Sequence, residues 1–316
     1  MADPDLIAQP APERLVVATD PGPGRSRGLP ALFEAMRPRQ WLKNLLVLAA
    51  PGAAGVLLDA AVAGRVALAF AAFCLVASGG YLINDVWDAQ ADRRHPRKRH
   101  RPVADGRLSP GVAVAAAVVL LCGGLVLGAL VAWELLAALG AYVALVLAYT
   151  QWLRHVPVLD LATVAAFFVI RAVAGGLCAG VPLSKWFLIV ASFGSLFIVT
   201  AKRVGEFMVL GSERAATRPA LAAYSLAYLR NVRTLSASVA VTAYCLWAFD
   251  EDAPRGAEPW VELSIVPFVL FVLRYAMLVE EDGDRPPEEL VLSDRGLLAA
   301  AFAWLAVFGA SVALGS

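Results

Sequence analysis

Asn84, Asp85, Asp88 and Asp92 lie within one nine-residue stretch and offer oxygen ligands of the kind a hard divalent cation takes. Three carboxylates so close repel one another and hold protons more tightly unless a cation sits among them. Mg²⁺ suits such a set, because it takes a few carboxylates and completes its shell with water and substrate phosphates. A second constellation, Lys202, Arg203 and Glu206, sets two cations beside one carboxylate, with Tyr224 and Arg230 following. Paired Lys and Arg bind phosphate oxygens, the Arg through a two-pronged contact and the Lys as a point charge.

Other polar residues interrupt apolar sequence. Lys43 and Asn44 enter the run RPRQWLKNLLVL, and Arg171 sits deep within FFVIRAVAGG. Such groups are costly in lipid unless they face a polar cavity or a partner. Arg171 reads equally as a functional group or as the partner of an interior carboxylate.

The elements that must position these residues follow from composition. The 316 residues are 59% hydrophobic and 17% charged, with a mean hydropathy of +0.67. A soluble domain carries about 25% charged residues. Nine apolar segments run near 41–58, 66–86, 110–131, 135–152, 158–180, 184–201, 231–249, 261–280 and 296–315. Most match the roughly 20 residues a membrane helix needs, and they do not alternate as barrel strands do. The sequence therefore predicts an all-α polytopic membrane protein with nine transmembrane helices. Residues 1–34 read as a disordered cytoplasmic arm, and 35–316 as a transmembrane catalytic domain with long loops at 87–109 and 202–230.

Helical geometry then gathers the candidates. Asn84, Asp88 and Asp92 fall at about 0°, 40° and 80° around the axis and Asp85 at about 100°, so one face holds all four. Lys202, Glu206 and Arg203 share a face in the same way, at about 0°, 40° and 100°. Basic residues concentrate on the side of the N-terminus and both long loops, which the positive-inside rule makes cytoplasmic. The segment RRHPRKRHRP, with Arg99 and Arg101, is partly an orientation signal and partly an electrostatic funnel for polyanions. Its His95 and His100 are poor metal ligands in so cationic a loop.

Other chemistries are disfavoured. Cys74, Cys122, Cys178 and Cys245 each lie in an apolar run and read as small buried hydrophobes. There is no P-loop or Gly-rich dinucleotide fingerprint. A transporter would show repeats and midplane charges, whereas these charges lie at one membrane face.

The motif from Asn84 to Asp92, at the end of the second of nine helices, resembles the first aspartate-rich motif of the UbiA superfamily of intramembrane prenyltransferases. The likeness covers the helical body from about residue 35 to 316. It implies a diphosphate held through Mg²⁺ by two acidic motifs, one at each long cytoplasmic loop. Where the family generally carries a second Asp-x-x-x-Asp, this sequence has Lys202-Arg203-x-x-Glu206. With RPRQWLKN and FFVIRAVAGG, that departure resembles the branch that transfers 5-phosphoribose from phosphoribosyl diphosphate to decaprenyl (polyprenyl) phosphate, supplying arabinose precursors for cell-wall arabinogalactan.

By that resemblance, Asn84, Asp85, Asp88 and Asp92 hold the metal, and Asp85, Asp88 and Lys202 are catalytic. Lys43, Asn44, Asn84, Arg99, Arg101, Arg171, Lys202, Arg203, Glu206, Tyr224 and Arg230 are the expected substrate-binding set. The cofactor is Mg²⁺, and the partners are the two substrates and membrane lipid, with no nucleic acid and self-association left open. The location implied is the cell membrane, with the N-terminus and active site cytoplasmic. The alternative within the fold moves a prenyl group from prenyl diphosphate to an aromatic or haem acceptor.

Overall fold

A chain in lipid must close its own backbone hydrogen bonds, and the long apolar segments do so as helices. The computed structural model describes residues 27–94, 98–210, 219–250, 259–281 and 287–315, and among these it contains no strand. In chain order the main helices are α1 (Leu29–Met36), α2 (Ala60–Trp87), α3 (Pro110–Val131), α4 (Trp133–Gln151) and α5 (Leu159–Ala179). They continue with α6 (Lys185–Leu210), α7 (Leu226–Ala248), α8 (Ile265–Glu281) and α9 (Arg295–Gly315). Capping residues fix several starts. Asp59 accepts from the Ala61 and Val62 amides ahead of α2, and Ser109 from Val112 ahead of α3.

Seven of these helical stretches are long and apolar enough to cross a membrane. They are α2 to α6, the stretch Trp260–Glu281, and α9. The protein is a multi-pass membrane protein. Two of the nine expected spans differ from the rest. The first, near 41–58, is a 3-10 segment (Pro38–Leu48), a short helix (Ala49–Ala53) and a 3-10 turn (Val56–Leu58). Pro51 and the left-handed Gly55 break its continuity. The seventh forms as α7 but carries Arg230, Asn231 and Arg233 in its first turns, which lowers its apolarity.

The last part of the segment 1–34, expected as a disordered arm, is helical. Residues 1–26 lie outside the described set, but α1 already begins at Leu29, helped by Pro30 at its first turn.

The core falls into two main clusters joined by α5. Its first half contributes Leu161 and Ala165 to a cluster with Phe197, Leu229, Tyr275 and Leu297. Its second half contributes Ala174 and Cys178 to one with Val47, Phe73, Leu139 and Tyr142. Gly175 is what lets the 3-10 segment approach: a Cβ there would stand 1.9 Å from the Val47 carbonyl oxygen.

Candidate active site

α2 closes at Trp87, and Asp88 caps it with φ −90° and ψ 0°. The Asp92 amide nevertheless donates to the Asp88 carbonyl at 2.8 Å, so helical spacing carries into the short helix Ala89–Arg94. The expected single acidic face divides into two pairs. Asp85 and Asp92, two turns apart, share Arg101, which donates at 3.2 and 2.7 Å. Asp85 is also bound by Arg37. Asn84 donates to Asp88 at 3.2 Å, and Arg154 grips both oxygens of Asp88 at 2.7 and 2.8 Å.

Local structure aims these arginines. Arg37 occupies the left-handed region at φ 57°, between α1 and Pro38, a position uncommon for a residue with a side chain. That turn sends its guanidinium to Asp85 and over the Tyr81 ring, 4.9 Å from the centroid. Arg107 anchors the loop that carries Arg101. Buried at 6% exposure, it donates to Glu34 of α1 at 2.6 and 3.0 Å and to Asp105 at 2.7 Å. The Glu34 carboxylate holds the Arg107 proton more tightly than usual. Between these parts lies a cavity of about 250 Å³, lined by Glu34, Arg37, Asp85, His100 and Arg101.

The fit to Mg²⁺ rests on Asp85. Its side chain is 1% exposed, and Oδ2 is buried with no hydrogen-bond partner, although Oδ1 has two guanidinium neighbours. A buried carboxylate oxygen without a donor is costly and suits a cation. The residue types therefore fit the metal. The expected convergence of all three aspartates does not hold, since no group of three or more acidic, His or Cys side chains at metal-holding spacing occurs among the described residues. Arg101 bridges Asp85 and Asp92, Arg37 adds a second guanidinium to Asp85, and Arg154 neutralises Asp88.

The second constellation differs more. Arg203 is 3% exposed and spends its guanidinium on Asp160 at 3.3 Å and Glu206 at 2.9 Å. It serves as a buried cross-link between α5 and α6, not as an open phosphate ligand. Tyr224 donates to Asp160 and accepts from the Val158 amide. Burial and the Asp160 carboxylate raise its phenol well above the tyrosine range. Lys202 is half-buried on α6. Arg230 binds Glu280 at 2.6 and 3.2 Å, and the exposed Arg99 meets His100 at 3.4 Å. Neither is among the partners of the three aspartates.

Arg171 and Asn44 do meet, but as packing partners. Arg171 donates to Asn44 Oδ1 at 2.7 Å, to the Phe167 carbonyl at 2.6 Å and to the Tyr142 hydroxyl at 2.8 Å. The Tyr142 ring lies 4.7 Å from its guanidinium carbon. No carboxylate pairs with it among the described residues, so the interior acid the sequence allowed for is replaced by neutral acceptors and an aromatic face. Lys43 donates to Gln40 on the 3-10 segment.

Residues 45–293 match the UbiA prenyltransferase family. The chain belongs to that family. It is 44% identical over 288 residues to the Mycobacterium tuberculosis decaprenyl-phosphate phosphoribosyltransferase, covering 90% of this chain and 95% of that protein. The enzyme of the same description from Corynebacterium glutamicum is 44% identical over 281 residues, covering 87% and 84%. A solved UbiA homologue from Archaeoglobus fulgidus, bound to GPP and Mg²⁺, superposes with a TM-score of 0.67 at 16% identity, covering 90% of this chain and 99% of that one.

Two groups of this UbiA transferase escaped the sequence reading. Arg154 is, in sequence, a lone positive charge between two apolar segments, and the spacing of Asp88 cannot show which loop faces it. Asp160 had a readable signal, a lone carboxylate opening an apolar helix, where an unpaired charge needs a nearby cation.

Proposed function

We propose that this UbiA family member transfers 5-phosphoribose from phosphoribosyl diphosphate to decaprenyl (polyprenyl) phosphate and releases pyrophosphate. The observation that carries the reading is the 44% identity, over about nine-tenths of the chain, to relatives described as decaprenyl-phosphate phosphoribosyltransferases. The chain's own chemistry agrees. Donor and acceptor together carry many phosphate charges, and Arg37, Arg101 and Arg154 surround the acid cluster.

Asp85, through its unpartnered Oδ2, and Asp92, which shares Arg101 with it, would hold Mg²⁺, which when bound offsets charge on the departing pyrophosphate. The guanidinium groups of Arg37, Arg101 and Arg154 orient phosphate oxygens in the same place. Lys202 and Lys43 supply further positive charge for the 5-phosphate or the acceptor phosphate. The attacking group is already an anion, so no side chain need remove a proton from it. The basic N-terminal half of the site and both long loops face the cytoplasm, where the water-soluble donor is found.

The test supplies purified protein and Mg²⁺ with labelled phosphoribosyl diphosphate plus polyprenyl phosphate. A parallel reaction contains labelled prenyl diphosphate plus an aromatic acid. Labelled lipid phosphate is expected in the first; product in the second alone would overturn the proposal.

A further inference from the structure

A separate apolar cavity of about 370 Å³ lies against α5, α6 and α7. Leu161, Ala162, Ala166 and Val169 of α5, Phe193 of α6, and Tyr228 of α7 line it. From Leu161 to Val169 it follows a membrane-spanning helix for about 12 Å, at 1.5 Å per residue. Small side chains on that face of α5 leave the space open.

The exposed end of the cavity, at Val158 and Tyr228, has a built framework. Val158 stands at φ 69° and ψ −46°, a costly conformation for a β-branched residue, and the Tyr224 hydroxyl accepts its amide. Tyr224 stacks on Tyr228 with centroids 5.5 Å apart and planes 4° from parallel. Tyr224 is fixed in turn by Asp160, which Arg203 holds. The buried network at the second constellation thus sets the rim of an apolar cavity.

That rim adjoins the acid cluster through one short stretch of chain. Arg154, which grips Asp88, lies in the 3-10 turn Leu153–His155, just ahead of Val158. A water-soluble donor and a lipid acceptor can react only where the acceptor's phosphate reaches the donor while its chain stays in apolar surroundings. We propose that this cavity holds the first isoprene units of the acceptor, a polyprenyl phosphate, with its phosphate at the Val158–Tyr228 end beside Arg154. The inference rests on the phosphoribosyl-transfer reading for the identity of the lipid. Positive charge at Arg154 complements the phosphate, and the reaction requires this lipid, rather than a bulk phospholipid, beside the acid cluster.

The experiment uses the full chain in lipid nanodiscs and a polyprenyl phosphate carrying a diazirine near its phosphate end. Mass spectrometry should find the label within 158–169, 192–196 or 228–232. Unlabelled polyprenyl phosphate should displace it, and phosphatidylglycerol should not. Ala166→Phe, or Ala162→Phe should the first fold poorly, should raise KM for polyprenyl phosphate about tenfold while KM for phosphoribosyl diphosphate stays put. Label on other helices, equal displacement by phosphatidylglycerol, or an unchanged acceptor KM in a folded variant would overturn the site. Labelling needs no turnover. A labelled cavity in a wild-type protein that makes no phosphoribosyl lipid would therefore leave the site standing and remove the functional reading instead.

Discussion

Arg154 holds both carboxylate oxygens of Asp88, at 2.7 and 2.8 Å, across a sequence separation of 66. The pair ties the C-terminal end of α2 to the turn that precedes α5. It depends on the planar fork of a guanidinium, which an ammonium cannot reproduce.

Arg154→Lys should therefore lower kcat/KM for the phosphoribosyl donor by about 10- to 100-fold, near 1–3 kcal/mol, while keeping the charge. Steady-state kinetics against Arg154→Gln would separate fork from charge. Equal losses in the two variants would mean that geometry dominates, and a rate close to wild type in the lysine variant would refute the role.

Asp85→Asn keeps the side-chain shape and removes the charge behind the unpartnered Oδ2. Donor binding measured by titration calorimetry should require Mg²⁺ in the wild type, vanish with a chelator, and be lost in this variant. Binding of wild-type strength in Asp85→Asn would show that the metal is held elsewhere.

Tyr142→Phe deletes one hydrogen bond to Arg171 between α4 and α5. Interhelical bonds in membranes are worth about 0.5–2 kcal/mol, so the thermal midpoint should fall by a few degrees with both KM values unchanged. A changed KM would place Arg171 in the site after all.

Gly175→Ala would force its Cβ to 1.9 Å from the Val47 carbonyl oxygen, pushing the 3-10 segment off α5. Overpacking of this kind costs about 1–3 kcal/mol or more, which should appear as lower yield and earlier unfolding. Gly140→Ala, where nothing lies within 4 Å of the added carbon, is the control that should unfold no earlier than wild type.

At the corner between α8 and α9, the Arg274 hydrogen bond, followed by the Leu297 amide, lowers the Asp294 carboxyl from 3.8 to about 2. A lowered folded-state value means the contribution is present above about pH 4 and fades as pH falls towards 2. Asp294→Asn should flatten that part of the stability profile, measured by thermal unfolding between pH 2 and 6. An unchanged profile would show that the pair contributes nothing.

Much of the protein is written in local sequence. Long apolar runs could only be helices, and a period of 3.6 residues sets Asn84 beside Asp88 and Asp85 beside Asp92. The same rule sets Arg203 next to Glu206, yet it cannot show the third member of that network. Arg203 looked like a phosphate ligand because Asp160, at a sequence separation of 43, is invisible to local spacing. Arg171 and Asn44 were both noticed, but their separation of 127 concealed that they answer each other.

The sequence by itself determined the membrane class, the helical body and the acidic end of α2, because bilayer thickness and helix pitch act over tens of residues at most. Only the tertiary structure decided which cations meet those acids. Arg37, Arg101 and Arg154 come from three separate segments, and packing among α1, α2 and the turn before α5 brings them together. Their choice depends on how helices pack and how loops fold back, which no periodicity within one segment encodes.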